Sequence, residues 1–153
     1  MNVLSPSSKT RVLLFGVVLL VSSGCGPGKR VQCRELGTAT NQVMNQVMTA
    51  HERQIGKNAY DPEFEITLAT AWESGVGVVN AVELSDRELQ RMRDQLAIAY
   101  QQAADVHRQV STLIPEDGRL SPDVEQQVDA LQLQAEAGIP PVISELNLYC
   151  ISG

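Results

Sequence analysis

The chain has 153 residues, 43 % apolar but only 4 % aromatic, and its 12 basic and 18 acidic side chains leave a net charge of −6. That acidic balance argues against nucleic acid as a partner, because phosphate recognition demands clustered Lys and Arg. Sparse Phe, Tyr and Trp beside abundant Ala, Gln, Leu, Val and Glu favour helix over sheet.

Lys9 and Arg11 precede an apolar run from Val12 to Val21. Ten residues are too few for a bilayer span, which needs roughly 20. A positive start, a short apolar stretch and the small residues of Val21-Ser22-Ser23-Gly24-Cys25 resemble the lipobox of a bacterial lipoprotein signal, with Ser22 where Leu is more typical. The resemblance implies a signal peptide over 1–24, cleavage between Gly24 and Cys25, and a diacylglyceryl group on the Cys25 sulfur, usually with an acyl chain such as palmitate on its amine. Two or more chains anchor stably, whereas one binds marginally. Removal of 1–24 would leave 10 basic and 18 acidic residues, a net charge of −8.

Residues 25–30 read as a lipidated, flexible tether, since Gly26-Pro27-Gly28-Lys29-Arg30 lacks periodicity. Lys29, Arg30 and Arg34 form the one local basic excess, near the headgroups beside the lipid; they read as solvated linker charges, with holding the tether to the anionic surface as the alternative. A single domain is expected over 31–153. Its first helix follows Leu36, Ala39, Val43, Val47 and Ala50 through about Ile55. The repeat Asn41-Gln42-Val43-Met44 and Asn45-Gln46-Val47-Met48 stacks Met44 over Met48 as packing residues.

Asp61-Pro62-Glu63 starts a second helix that runs to about Glu83 and buries Phe64, Leu68, Ala71, Trp72, Gly75, Val79 and Val82. Glu63, Glu65, Glu73 and Glu83 are assigned to its exposed face. Gly75 and Gly77 would either weaken this helix or admit a close neighbour. Ser85-Asp86-Arg87-Glu88 reads as a capping box with Ser85 at the N-cap, leaving almost no loop, so helices two and three fold back on each other. The third helix holds Leu89, Met92, Leu96, Ala99, Ala103, Val106, Val110 and Leu113 in a 3-4 alternation up to Pro115. Ser121-Pro122-Asp123 starts a fourth, with Val124, Val128, Leu131 and Ala135 inward. Gly138 and Pro140-Pro141 then kink it before Ile143 and Leu146.

Four helices of similar length joined by short loops make an all-α, up-down-up-down four-helix bundle. That topology brings the start of the first helix and the end of the fourth to one end. Cys33 and Cys150 occupy those places and are expected to form a disulfide in an oxidising, exported location.

Reactive chemistry is hard to find. His51 and His107 are preceded three residues earlier by Met48 and Ala104, so the Glu-x-x-His motif of di-iron bundles is missing. Both are read as surface or boundary residues on diagonal helices. No Gly-x-Ser-x-Gly, Cys-x-x-Cys, Walker or dinucleotide motif follows residue 25. The expectation is therefore no enzyme, no cofactor, no metal and no catalytic residue.

Cys25, Cys33, the Leu89 to Tyr100 stretch and Tyr149-Cys150 together resemble small helical lipoproteins of unknown function found in cyanobacteria. The resemblance brings no activity with it. It implies an exported protein, lipid-anchored to a membrane of the bacterial cell envelope and facing the periplasm or lumen. Such a chain would serve as a non-catalytic accessory, scaffold or interaction module with a protein partner in the envelope. The alternative is a bundle that holds a small apolar molecule or a metal between its helices. A lined cavity near Trp72 and Tyr100 would favour the latter; a filled core with an exposed apolar stripe would favour the former.

Overall fold

The computed structural model describes residues 27–53 and 60–152, and the signal-peptide and Cys25 assignments lie outside them. Within these residues the secondary structure is helical: α1 (Pro27–Glu52), α2 (Pro62–Asn80), α3 (Arg87–Leu113), α4 (Pro122–Ala137) and α5 (Ile139–Ser152). Helix α3 is the hub, touching each of the other four and lying along α2 most extensively. None of these helices is long and apolar enough to cross a membrane.

The heptad stripes account for the main core. Leu36, Val43 and Val47 of α1, Leu68, Trp72 and Val79 of α2, and Leu89, Met92, Leu96, Tyr100 and Ala103 of α3 are buried together, closed at one end by Ile139, Leu146 and Cys150 of α5. A smaller cluster of Val110, Ile114 and Val128 caps the far end, with Tyr60 and Leu131 against it. There Tyr60 Oη donates to Glu125 and Asp129 of α4 at 3.1 and 3.3 Å. Gly118, at φ +66°, turns the chain beneath Tyr60; a Cβ would stand 2.7 Å from the Tyr60 carbonyl oxygen.

Gly75 resolves in favour of close approach. A Cβ there would meet Val43 Cγ1 at 2.6 Å and Tyr100 Cδ2 at 3.3 Å, so only glycine lets α1, α2 and α3 come together at this level. Gly77 faces open space.

Four expectations need correction. Helix α1 begins at Pro27 rather than Val31, so most of the expected spacer is helical, with proline at the first position where its missing N–H costs nothing. The N-cap of α3 is Asp86, whose carboxylate accepts from Glu88 N and Leu89 N at 3.0 Å each. Ser85 instead donates its backbone N–H to Gln32 Oε1 of α1. Met48 is half-exposed and lies outside the core that Met44 packs against. Helix α2 ends at Asn80 rather than about Glu83, whereas the expected interruption after Ala135 is present, α4 ending at Ala137 and α5 resuming at Ile139 with Gly138 between them.

Candidate functional site

At one end Cys33 and Cys150 form the expected disulfide, with a Cα–Cα distance of 5.8 Å. A polar lattice surrounds it. Gln32 Oε1 on α1 accepts from Ser85 N at 2.6 Å and Asp86 N at 2.9 Å, binding α1 to the junction between α2 and α3. Tyr149 Oη of α5 donates to the Asp86 carboxylate, and Lys29 Nζ of α1 lies 3.6 Å from the Tyr149 ring centroid. Burial alone would raise the Asp86 pKa. The hydrogen bonds from Leu89 N, Tyr149 Oη and Glu88 N, with Lys29 nearby, outweigh it and hold the carboxyl below its ordinary value.

Toward the other end is a polar cluster that sequence reading missed. Glu65, assigned to a solvated face, is 1 % exposed, and His107, assigned to the boundary, is 3 % exposed. Glu65 Oε2 stands 2.6 Å from His107 Nδ1, and Gln132 Nε2 of α4 donates to Glu65 Oε1 at 2.8 Å. Among the described residues, buried His107 Nε2 has no hydrogen-bond partner. The signal was present in the register. Glu65 falls seven residues before Trp72 and His107 seven after Tyr100, and those two rings pack 5.3 Å apart between α2 and α3. One heptad beyond a core contact, the next pair on the same stripes must face each other too.

His51 does sit at the boundary. Its half-exposed side chain meets Phe64 edge-on at 5.4 Å and places Nε2 3.9 Å from Glu136 Oε1. Burial lowers its pKa, with Glu136 opposing. Among the described residues no three His, Cys, Asp or Glu side chains converge as a metal-binding group. Buried together, Glu65, His107 and Gln132 link α2, α3 and α4.

Trp72 and Tyr100 pack on each other in the core, ring centroids 5.3 Å apart. Both rings are buried, Gly75 closes over Tyr100, and burial pushes the Tyr100 phenol up to about 12, partly offset by Thr40. Open space lies outside, in a shallow groove of about 850 Å³ between α1 and α2. Asn41, Gln42, Asn45, Gln46 and Thr49 line one wall and Ile66, Thr67, Thr70 and Ser74 the other, with Arg53 as the one charge among the described residues. The Thr49, Thr67 and Thr70 hydroxyls donate to the carbonyl four residues earlier, which turns their polar atoms inward along the backbone.

No family model, curated protein or solved structure matches this chain.

Proposed function

We propose that the chain is a lipid-anchored envelope protein that acts as a non-catalytic scaffold or accessory module, binding a partner protein through the α1–α2 face. The observation that carries this reading is the charge-poor groove on the surface, beside an interior in which the Trp72 and Tyr100 rings pack on each other out of water. Charged residues are depleted at the centres of protein interfaces, and 20 % of this chain is charged, yet among the described residues the groove contains one charge, Arg53. The buried Cys33–Cys150 bridge suits an oxidising compartment outside the cytoplasm, in keeping with export and acylation at Cys25. The resemblance to small cyanobacterial lipoproteins adds an envelope setting facing the periplasm or lumen.

The architecture that serves this role is an up-down-up-down bundle in which α4 and α5 form one fourth rod bent near Pro140-Pro141. Side-chain pairs support that order: Glu65 with His107 and Trp72 with Tyr100 run α2 against α3, and Asp86 with Tyr149 and Arg91 with Glu145 run α3 against α5, numbers rising on one helix as they fall on the other.

A photo-crosslinking residue placed at Asn45 or Thr70 in living cells tests the reading, with Asp105 on the outer face of α3 as control. The expected result is a discrete adduct from Asn45 and Thr70 that Thr67→Glu abolishes while leaving the protein folded and membrane-bound. Adducts no different from those of Asp105 would overturn it.

A further inference from the structure

The disulfide end carries an apolar and basic surface that the core leaves unused. Leu148 and Ile151 on α5 are 66 % and 54 % exposed, and Val31 on α1 is 41 % exposed, each within two residues of Cys150 or Cys33. The first turn of α1 contains Lys29 and Arg30 and no acid, and Arg34 follows one turn on, beside exposed Glu35 and with Glu83 across a groove from Val31, in a chain whose net charge is −6. Lys29 is engaged with Tyr149. Arg30 and Arg34 are exposed, one turn apart, on a stripe they share with Val31. No carboxylate among the described residues pairs with either, whereas Arg91, Arg93 and Arg108 each hold one.

Covalent reach decides what this surface meets. Cys25 stands two residues before Pro27, and consecutive Cα atoms are about 3.8 Å apart, so its Cα is held within roughly 8 Å of the helix start. Cys33 follows about 9 Å further along α1 at roughly 1.5 Å per residue. A body whose helix begins this close to its lipid cannot be lifted away on a long spacer.

We infer that the disulfide end is a docking surface for an anionic bilayer, with Leu148, Ile151 and Val31 at the headgroup boundary and Arg30 and Arg34 on lipid phosphates. This rests on the anchoring reading of Cys25 and adds a defined orientation to it: the bundle sits end-on, and the α1–α2 groove is held at a fixed height above the membrane. Lys29, bound to Tyr149 and near Asp86, would tie the basic turn to α5 so that both halves of the surface move as one.

The test uses the full, natively lipidated chain in phosphatidylcholine vesicles containing phosphatidylglycerol, with brominated lipid as a contact quencher. Leu148→Trp reports the docking surface. Leu133→Trp is the control, since Leu133 is 70 % exposed on α4 next to Gln132 of the distal polar cluster. Buried Trp72 gives a constant background in both. Quenching at residue 148 should exceed that at 133 several-fold, and Arg30→Glu with Arg34→Glu should reduce it in anionic vesicles but not in phosphatidylcholine alone. Equal quenching at the two positions, with the protein firmly in the vesicles, would overturn docking and leave the anchor standing. A protein that fails to float with vesicles and carries no acyl group on Cys25 would overturn the anchor and the docking with it. Circular dichroism and an intact disulfide confirm that each surface variant is folded.

Discussion

An isolated carboxylate or imidazole taken almost wholly out of water has to find a partner or lose stability. Glu65 and His107 find each other, and Gln132 occupies the second carboxylate oxygen. Glu65→Ala or His107→Ala alone should therefore cost about 3–5 kcal/mol in urea unfolding, because the surviving polar group is left buried and unmatched. Replacing both with leucine should recover much of that loss. Assigning Glu65 to solvent followed the usual habit of charged residues, and here register prevailed over residue type, since Glu65 lies on the stripe of Leu68, Trp72 and Val79. Asp86 makes a pH prediction. A carboxyl whose folded pKa is lowered contributes its full stabilisation above the unfolded value of 3.8 and loses it as pH falls through the folded pKa. Asp86→Asn should accordingly unfold at lower temperature near neutral pH and converge on the parent in acid. His51 runs the other way for a histidine that gains a partner: its pKa is lowered, so the unfolded chain binds the proton first as pH drops below 6.5, and folding weakens from there downward. His51→Gln should flatten that part of the thermal-stability profile, by a small amount because the side chain is half-exposed.

At the scale of the helices, the two glycines of α2 separate packing from propensity. Gly77→Ala meets nothing within 4 Å and should stabilise by up to about 1 kcal/mol, the helix-propensity gain. Gly75→Ala would drive a methyl to 2.6 Å from Val43, a β-branched side chain with little rotamer freedom, and should cost about 1–3 kcal/mol despite the same propensity gain. Opposite signs in thermal melts of the two variants check the argument. Heptad periodicity made α3 and most of the core legible in advance, since Leu89, Met92, Leu96, Ala99, Ala103 and Val110 all turned inward. Helix starts were less legible where tertiary contacts decide them. Gly26-Pro27-Gly28 reads locally as a spacer, yet Gln32 Nε2 reaches back to the Gly28 carbonyl oxygen and Lys29 reaches Tyr149, so the first turn of α1 is held by partners distant in sequence as well as near. The Ser85 and Asp86 alternatives for the α3 cap differ by one residue, and a glutamine 54 positions away helps to set which one is used.

For the molecule as a whole, Cys33–Cys150 closes nearly the entire folded chain, a sequence separation of 117. Reduction should lower stability by up to about 4–5 kcal/mol on the chain-entropy model while helix content by circular dichroism stays near native, because the α2–α3 core does not depend on the bridge. Loss of all helicity on reduction would mean that the core is weaker than its buried stripes imply. The disulfide was legible because the up-down order expected from the sequence would place those two helix ends together, and Cys33 and Cys150 do bond. The groove between α1 and α2 was not legible, since the repeated Asn-Gln pairs of α1 gain meaning only beside the Thr and Ser residues of α2. The scaffold reading, the oxidised bridge and the end-on docking all depend on where the mature chain begins and what it carries there. Mass spectrometry of the N-terminal peptide of the protein purified from its native membrane tests this most directly. The account predicts a chain beginning at Cys25 with a diacylglyceryl adduct on sulfur, lost in Cys25→Ser. A mature N-terminus elsewhere, or an unmodified Cys25, would contradict it.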